Sequence, residues 1–276
     1  MNYVKLSLFL FILTLAISSS AKQKPDQCFL TDKTNADKVI PTQTQSHSYQ
    51  VIASYPHDKS AFTQGLVFYK ENLYESTGLL GKSGVRMINL NNGQPLVKTH
   101  ISDIYFGEGL TIFNHQLVQM SWKSGKVFFF NPENLALIKQ LNFAKEAWGN
   151  TVINNQLLIS NGSSNLLFIN PENFNINSIL KITMHDQEIS GLNELEYAEG
   201  SIYANVWPSS CIVKIDPASG KVTGWLDLSG LHPKKYPLPE SAVLNGIAYQ
   251  KQTRHFFVTG KFWPFIYEIK LQSNEH

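Results

Sequence analysis

Phe106-Gly107-Glu108-Gly109-Leu110 places one carboxylate between two glycines at the start of an apolar, β-prone run. Glycine adopts backbone conformations that other residues avoid, and it lets a ligand or another strand approach the main chain closely. Taken alone, the stretch is typical of a turn that carries a solvated glutamate. It becomes more informative because a similar pattern returns four times along the chain.

Five short segments align with one another, each opening on a polar or aromatic residue and continuing as a β-prone run. They are Gln64-Gly65-Leu66-Val67-Phe68, Glu108-Gly109-Leu110-Thr111-Ile112, Trp148-Gly149-Asn150-Thr151-Val152, Asn193-Glu194-Leu195-Glu196-Tyr197 and Asn245-Gly246-Ile247-Ala248-Tyr249. Their first residues lie 44, 40, 45 and 52 positions apart. This period is typical of the four-stranded blades of a β-propeller.

Further β-prone runs follow each segment. The second runs cover residues 73–76, 117–120, 157–160, 202–205 and 256–259; the third cover 85–90, 126–131, 165–170, 211–216 and 265–271; the fourth cover 95–101, 135–141, 176–182 and 221–228. Three of the third runs end in Asn-Pro or Asp-Pro, which is a turn signal because proline cannot continue the ladder of hydrogen bonds. The fifth repeat ends after its third run.

The strand that the fifth repeat lacks is available in residues 49–55, just before the first repeat. A ring closed in this way leaves no open sheet edge at the junction. We therefore predict an all-β fold, a five-bladed β-propeller over residues 48–272 whose last blade is closed by the N-terminal strand. The alternative is an ordinary sandwich with coincidental turns. The proline-containing connection 229–242 is expected to form a loop over one face.

The composition favours a β-rich globule, since aromatic residues make up 12% of the 276 residues and charged residues only 16%. The formal net charge is +2, and the sequence contains no long stripe of lysine and arginine. A nucleic-acid partner is therefore not expected.

The first 21 residues resemble a signal peptide. Lys5 precedes the apolar run 6–17, and the small residues Ser19 and Ala21 suit a cleavage site. The run is short for a membrane span, so export to the periplasm or the medium is predicted, with no membrane attachment after cleavage.

Residues 22–47 are polar and predict a flexible arm. The chain contains two cysteines, Cys28 and Cys211. An oxidising compartment permits a disulfide between them, but the sequence equally allows two unpaired thiols.

In a propeller the innermost strands surround a central channel, so equivalent positions at their ends form a ring. The first ring, from the openings of the repeats, is Gln64, Glu108, Trp148, Asn193 and Asn245. The second ring, from the ends of the second strands, is Gly78, Trp122, Gly162, Trp207 and Lys261.

Together the rings predict a small-ligand pocket that has one carboxylate, one cation and two amides within walls of tryptophan. Such surroundings raise the pKa of a carboxyl group, so Glu108 suits a general acid or base. The alternative is that these residues fill the channel and hydrogen-bond each other, which we favour for Asn245. Motifs for zinc proteases, serine hydrolases and phosphate-binding loops do not occur in the sequence.

Several motifs, in order from about residue 55 to residue 271, resemble those of the plant-type and bacterial glutaminyl-peptide cyclotransferases. The motifs are Phe62-Thr63-Gln64-Gly65-Leu66, Glu75-Ser76-Thr77-Gly78 with Gly81-x-Ser83-x-x-Arg86, Phe106-Gly107-Glu108-Gly109-Leu110-Thr111, Asn193-Glu194-Leu195-Glu196-Tyr197, Ala204-Asn205-Val206-Trp207, Leu244-Asn245-Gly246-Ile247-Ala248 and Val258-Thr259-Gly260-Lys261-x-Trp263-Pro264.

The resemblance implies a five-bladed propeller that converts N-terminal glutamine of peptides or proteins to pyroglutamate with loss of ammonia. It also implies that no metal or other cofactor is required, and we expect a monomer. The catalytic residues that it implies are Glu108, Asn193 and Lys261. The substrate-binding residues that it implies are Phe62, Gln64, Phe106, Trp122, Trp148 and Trp207.

The third repeat departs from the family pattern. Ala147-Trp148-Gly149-Asn150 stands where Gly-Trp-Gly-Leu is usual, and Ser160-Asn161-Gly162 stands where Ser-Asp-Gly is expected. Trp148 is kept, so we expect an intact pocket wall on an altered local backbone.

Two other functions are compatible with the sequence. In a calcium-dependent lactonase-type propeller, Glu108, Asn193 and Asn245 would be oxygen ligands of a central cation, although Lys261 beside the metal argues against this. In a binding propeller without chemistry, Glu108 would anchor a peptide amine.

Overall fold

The computed structural model describes residues 45–231 and 238–272, and these residues contain strands and turns but no helix. The first three blades are antiparallel sheets of four consecutive strands. Blade 1 comprises β3 (Thr63–Tyr69), β4 (Asn72–Thr77), β5 (Gly84–Ile88) and β6 (Pro95–His100). Blade 2 comprises β7 (Gly107–Phe113), β8 (Gln116–Ser121), β9 (Lys126–Phe130) and β10 (Leu137–Asn142). Blade 3 comprises β11 (Asn150–Ile153), β12 (Gln156–Ile159), β13 (Asn165–Ile169) and β14 (Ile176–Lys181).

The last two blades use strands from before the first repeat. Blade 4 comprises β17 (Leu192–Ala198), β18 (Ser201–Val206), β19 (Cys211–Ile215) and β20 (Val222–Asp227), and β1 (Gln45–Ser46) pairs with β20 in parallel. Blade 5 comprises β21 (Leu244–Gln250), β22 (His255–Gly260), β23 (Phe265–Leu271) and β2 (Tyr49–Pro56). Because β2 pairs antiparallel with β23, the N-terminal strand closes the last blade. The predicted five-bladed propeller is therefore confirmed.

The hydrophobic core is divided into five clusters, each between two neighbouring blades. Leu158 of blade 3 and Ile202 of blade 4, for example, belong to the same cluster. All five residues of β5 are buried, whereas the outer strand β6 alternates half-buried and exposed residues. A central strand is covered on both faces, and an edge strand on one, so their sequences differ in this way.

Two strands begin later than the sequence predicts. β10 begins at Leu137 because Leu135 has a φ of +55° and belongs to the preceding turn. β11 begins at Asn150, two residues after Trp148. The hairpin of β15 (Thr183–Met184) and β16 (Gln187–Glu188), between blades 3 and 4, was not predicted from the repeat pattern.

The glycines beside Glu108 do not form the opening turn that the sequence suggests. Gly107 and Gly109 lie inside β7, at an irregularity where the register with β8 shifts. A Cβ atom on Gly109 would lie 2.7 Å from the backbone nitrogen of Asn150 in the next blade. The glycine is therefore required by the close approach of neighbouring inner strands.

The predicted signal peptide, residues 1–21, lies outside the described residues, and so does most of the arm predicted for 22–47. The end of that segment is not a free arm, because Gln45 and Ser46 pair with β20 and the backbone N–H of His47 donates to the carbonyl of Trp225 at 2.8 Å. Cys211 is buried and disulfide-bonded, while Cys28 lies outside the described residues. Within the described ranges no helix is long and apolar enough to cross a membrane.

Candidate active site

The side chains that the sequence assigns to the site meet around one cavity at one end of the propeller. The inner strands begin at this end and the second strands finish there, so the two predicted rings face each other. The cavity has a volume of about 500 Å³. All nine predicted site residues border it: Phe62, Gln64, Phe106, Glu108, Trp122, Trp148, Asn193, Trp207 and Lys261.

Gln64 connects the carboxylate of Glu108 to the wall of the channel. Its amide oxygen accepts a hydrogen bond of 3.2 Å from Nδ2 of Asn245, and its NH2 group donates to Glu108. Nδ2 of Asn245 also donates to the carbonyl oxygen of Thr63 at 3.0 Å. Asn245 is fully buried and is not among the described residues that border the cavity. These contacts agree with the prediction that Asn245 fills the channel.

Glu108 and Lys261 are the charged groups in the interior of the cavity, only 4% and 6% exposed. Burial raises the pKa of Glu108 well above its ordinary value, and the negative charge of Glu146 adds to this effect. The cation of Lys261 and the hydrogen bond from Gln64 oppose it. Burial lowers the pKa of Lys261 to about 8, against the attraction of Glu108. Glu108 therefore holds a proton more tightly than an exposed glutamate does.

Aromatic rings form the wall of the cavity in two runs of contacts. Phe62 meets Phe106 edge to face at 5.9 Å between centroids, and Phe106 meets Trp122 at 5.8 Å. In the second run, Trp148 meets Trp207 edge to face at 5.9 Å. Trp122 and Trp207 remain 37% and 45% exposed. The mouth of the cavity is therefore apolar and accessible to a ligand.

Two positions of the second predicted ring carry glycine, because the aromatic side chain of another residue fills the space that a side chain would need there. A Cβ atom on Gly78 would lie 2.8 Å from Cζ of Phe106. A Cβ atom on Gly162 would lie 2.6 Å from Cη2 of Trp148, and Gly162 also has a φ of +81°. These glycines fix the wall without contributing chemistry of their own.

Asn193 borders the cavity and has an acceptor that no described residue uses. The residue is 3% exposed, and its side-chain Oδ1 is buried with no hydrogen-bond partner among the described residues. Buried polar atoms are nearly always paired in native proteins. The oxygen lies below the surface of the cavity and does not by itself give a ligand a partner.

Five residues of the site were not predicted from the sequence. Pro208, Glu240, Ser241 and Val243 also border the cavity, and Glu146 lies behind its wall. Residues 240 and 241 belong to the proline-containing connection that was expected to cover one face, so the sequence contained a signal for them. Glu146 lies outside the repeated strands, and no periodic pattern indicates it.

The unusual third repeat keeps its part of the wall. Trp148 borders the cavity, as predicted. Nδ2 of Asn150 donates to the carbonyl of Val118 at 3.2 Å, whereas its Oδ1 has no partner among the described residues. Oδ1 of Asn161 accepts a hydrogen bond of 2.6 Å from the hydroxyl of Ser163.

Of the three residues that a calcium site would use, only Glu108 and Asn193 border the cavity, whereas Asn245 is not among its described lining residues. Lys261 also borders the cavity, and its ammonium group lies 4.5 Å from the centroid of the Phe62 ring. The positive charge of Lys261 would repel a metal cation bound in the same cavity.

Known proteins resemble this chain in sequence and in fold. The chain is 38% identical over 228 residues to the glutaminyl-peptide cyclotransferase of Arabidopsis thaliana. The aligned residues cover 81% of this chain and 71% of that protein. It is also similar to the crystal structure of Myxococcus xanthus glutaminyl cyclase, with a TM-score of 0.79, 34% identity and coverage of 84% of this chain and 100% of that chain. The sequence profile of the glutamine cyclotransferase family matches residues 15–271. The chain therefore belongs to the glutamine cyclotransferase family.

Proposed function

We propose that the protein converts the N-terminal glutamine of peptides or proteins to pyroglutamate and releases ammonia. The observation that carries this proposal is a buried carboxylate of raised pKa, Glu108, inside an aromatic cavity that is open at its mouth. An N-terminal glutamine contains both the amine nucleophile and the amide that it attacks. Its cyclisation therefore needs orientation and proton transfer but no second substrate.

In the proposed reaction, the free α-amine attacks the carbonyl carbon of its own side-chain amide. A bond forms between this carbon and the amine nitrogen, the bond to the amide nitrogen breaks, and ammonia leaves. Glu108 accepts the proton of the attacking amine and delivers it to the departing nitrogen. A carboxyl group of raised pKa suits both steps, because it takes up the proton of the amine more readily than an exposed glutamate does.

The other polar groups of the cavity orient the amide and stabilise the negative charge that develops on its oxygen. Lys261 and the second N–H of Gln64 are the donors available to this oxyanion. Asn193 borders the same cavity and helps to orient the amide. Trp122, Trp148 and Trp207 enclose the folded glutamine side chain and exclude water.

The purified protein is to be incubated with a glutamine-initiated peptide and with the same peptide acetylated at its α-amine. We expect the free peptide to lose the mass of one ammonia faster than it does without enzyme, and the acetylated peptide to stay unchanged. Activity that is lost with a chelator would support the calcium-dependent function instead. Binding of the free peptide without any mass loss would support the non-catalytic propeller.

We also propose export to the periplasm or the medium, based on the composition of residues 1–21. Sequencing the N-terminus of the protein from these fractions tests it, and a mature protein that begins at Lys22 is expected. A monomer is proposed because one chain supplies every residue described around the cavity. Sedimentation analysis of the mature protein tests this second point.

A further inference from the structure

Glu146 lies behind the aromatic wall, in the connection between β10 and β11. Its Oε1 atom accepts a hydrogen bond of 2.6 Å from Nε1 of Trp122 and one of 2.9 Å from Nε1 of Trp148. The two tryptophans come from different blades, since Trp122 follows β8 and Trp148 precedes β11. Glu146 is half-buried and is not among the described residues that border the cavity.

This carboxylate stands at the gap between the two aromatic runs. Trp122 ends the run that begins at Phe62, and Trp148 begins the run that ends at Trp207. No ring contact between Trp122 and Trp148 occurs among the described aromatic pairs. The shared carboxylate oxygen therefore joins the two halves of the wall.

We propose that Glu146 is a positioning residue for the cyclisation, which fixes Trp122 and Trp148 in the orientation that encloses the substrate glutamine. This inference rests on the function proposed above. An indole N–H that is partly buried needs an acceptor, and a hydrogen bond to a carboxylate is stronger than one to a neutral group. Without Glu146, each indole is free to turn toward another acceptor or toward water.

The charge of Glu146 gives it a second, separable effect on the site. The groups that act on Glu108 are the ammonium of Lys261 from blade 5, the carboxylate of Glu146 from the β10–β11 connection and the amide of Gln64 from blade 1. Of these, Glu146 is the one that raises the pKa of Glu108 by its charge. Removing this charge lowers the pKa of Glu108, whereas removing the hydrogen bonds moves the wall.

Two substitutions separate these effects. Glu146→Gln keeps an amide oxygen that can accept from both indoles but removes the charge. Glu146→Ala removes both. Glu133→Gln is the matched control, because Glu133 is exposed in the turn between β9 and β10, at the opposite end of the blade from Trp122.

The first measurement is the set of indole N–H signals in a proton–nitrogen NMR spectrum of the ligand-free protein, which has five tryptophans. We expect two of these signals to move in Glu146→Ala, to move less in Glu146→Gln and to stay in place in Glu133→Gln. The second measurement is kcat and KM for a glutamine-initiated peptide across pH. Glu146→Ala should raise KM roughly 10-fold, as the loss of charge-assisted hydrogen bonds predicts.

Glu146→Gln should leave KM close to that of the unmodified protein and shift the acidic limb of kcat to lower pH. Unchanged indole signals and unchanged KM in Glu146→Ala would overturn the inference. Equal increases of KM in Glu146→Gln and Glu146→Ala would also overturn it, since charge rather than wall position would then matter. If the unmodified protein does not cyclise the peptide, the proposed function fails, and the NMR signals still report whether Glu146 fixes the tryptophans.

Discussion

Glu108 and Lys261 border the same cavity, and burial moves their pKa values toward each other, upward for the carboxyl group and down to about 8 for the ammonium group. Each charge opposes the effect of burial on the other. The two groups therefore titrate closer together than they would at the surface. Catalytic acid and base pairs near neutral pH depend on shifts of this kind.

This relationship predicts a bell-shaped dependence of kcat on pH. The proposed mechanism needs Glu108 without its proton and Lys261 with its proton, so kcat should rise as Glu108 ionises and fall as Lys261 loses its proton near pH 8. In Lys261→Arg the cation persists to much higher pH, and the alkaline limb should shift upward. Titration of the substrate amine affects both enzymes alike. An alkaline limb at the same pH in both would show that Lys261 does not set it.

The second prediction concerns the carboxylate itself. Glu108→Gln should lower kcat by roughly two to four orders of magnitude, because it removes the group that transfers the proton. Glu194→Gln is the control, since Glu194 is also fully buried but accepts hydrogen bonds from the backbone of Leu66 and Ile247 and is not among the described cavity residues.

Burial raises the pKa of Glu194 well above its ordinary value. Glutamine keeps one oxygen that accepts from one of these backbone N–H groups, while its NH2 group cannot accept from the other, so Glu194→Gln should be less stable. Because no group in the cavity changes, the folded variant should retain turnover. The comparison measures kcat for a glutamine-initiated peptide and the thermal unfolding temperature of both variants. Near-normal turnover in a folded Glu108→Gln protein would exclude Glu108 as the proton carrier.

The fold was predictable because it repeats one unit. Gly109 and Gly149 occupy equivalent positions in their repeats. Each is glycine for the same reason, because the inner strand of the next blade approaches too closely for a side chain. The closure by β2 followed from counting strands. The third repeat was harder, because Trp148 precedes a shortened β11.

The site was predictable only where it uses ring positions. Asn193 and Asn245 occupy equivalent places in their repeats, yet one borders the cavity and the other holds Gln64. Their difference arises from contacts between blades, which a single sequence does not specify. For the same reason Glu146 was missed, since its role depends on two tryptophans from different blades that share one oxygen atom.

A third prediction tests whether glycine at the ring shapes the wall. Gly162→Ala places a methyl group against the Trp148 indole, so we expect KM to rise roughly 10-fold through displacement of that ring. Gly200→Ala is a matched control, because Gly200 also has a positive φ, +75°, but its Cβ position has no atom within 4 Å.

Both variants should lose about 1 kcal/mol of stability through the strained backbone, measured by urea unfolding. Only Gly162→Ala should change the kinetics with a glutamine-initiated peptide. A similar increase of KM in both variants would attribute the effect to backbone strain and not to Trp148.

A fourth prediction concerns acid stability, through a buried carboxylate that joins blades 1 and 5. Glu75 accepts hydrogen bonds from Thr63 at 2.6 Å and from Nε of Arg86 at 2.6 Å, and it lies 3.1 Å from Nε2 of His57. The other ring nitrogen of His57 lies 2.8 Å from the carbonyl oxygen of Trp263 in blade 5. Burial alone would raise the pKa of Glu75, but the charges of Arg86 and His57 outweigh it and lower the pKa from 4.5 to about 2.

A carboxyl group whose pKa is lower in the folded state stabilises the fold above its unfolded pKa, and this contribution disappears as pH falls through its folded pKa. The decrease in the pKa of Glu75 from 4.5 to about 2 corresponds to about 3 kcal/mol of folding stability. Glu75→Gln should therefore lower the free energy of unfolding by about this amount or more at neutral pH, since it also leaves Arg86 without its buried partner.

The difference between Glu75→Gln and the unmodified protein should shrink as the pH falls from 4.5 toward 2, and urea unfolding at several pH values measures it. Glu133→Gln, which removes an exposed carboxylate, should show little difference at any pH. If the difference for Glu75→Gln stays constant between neutral and acidic pH, the ionised form of Glu75 does not contribute the stability assigned to it.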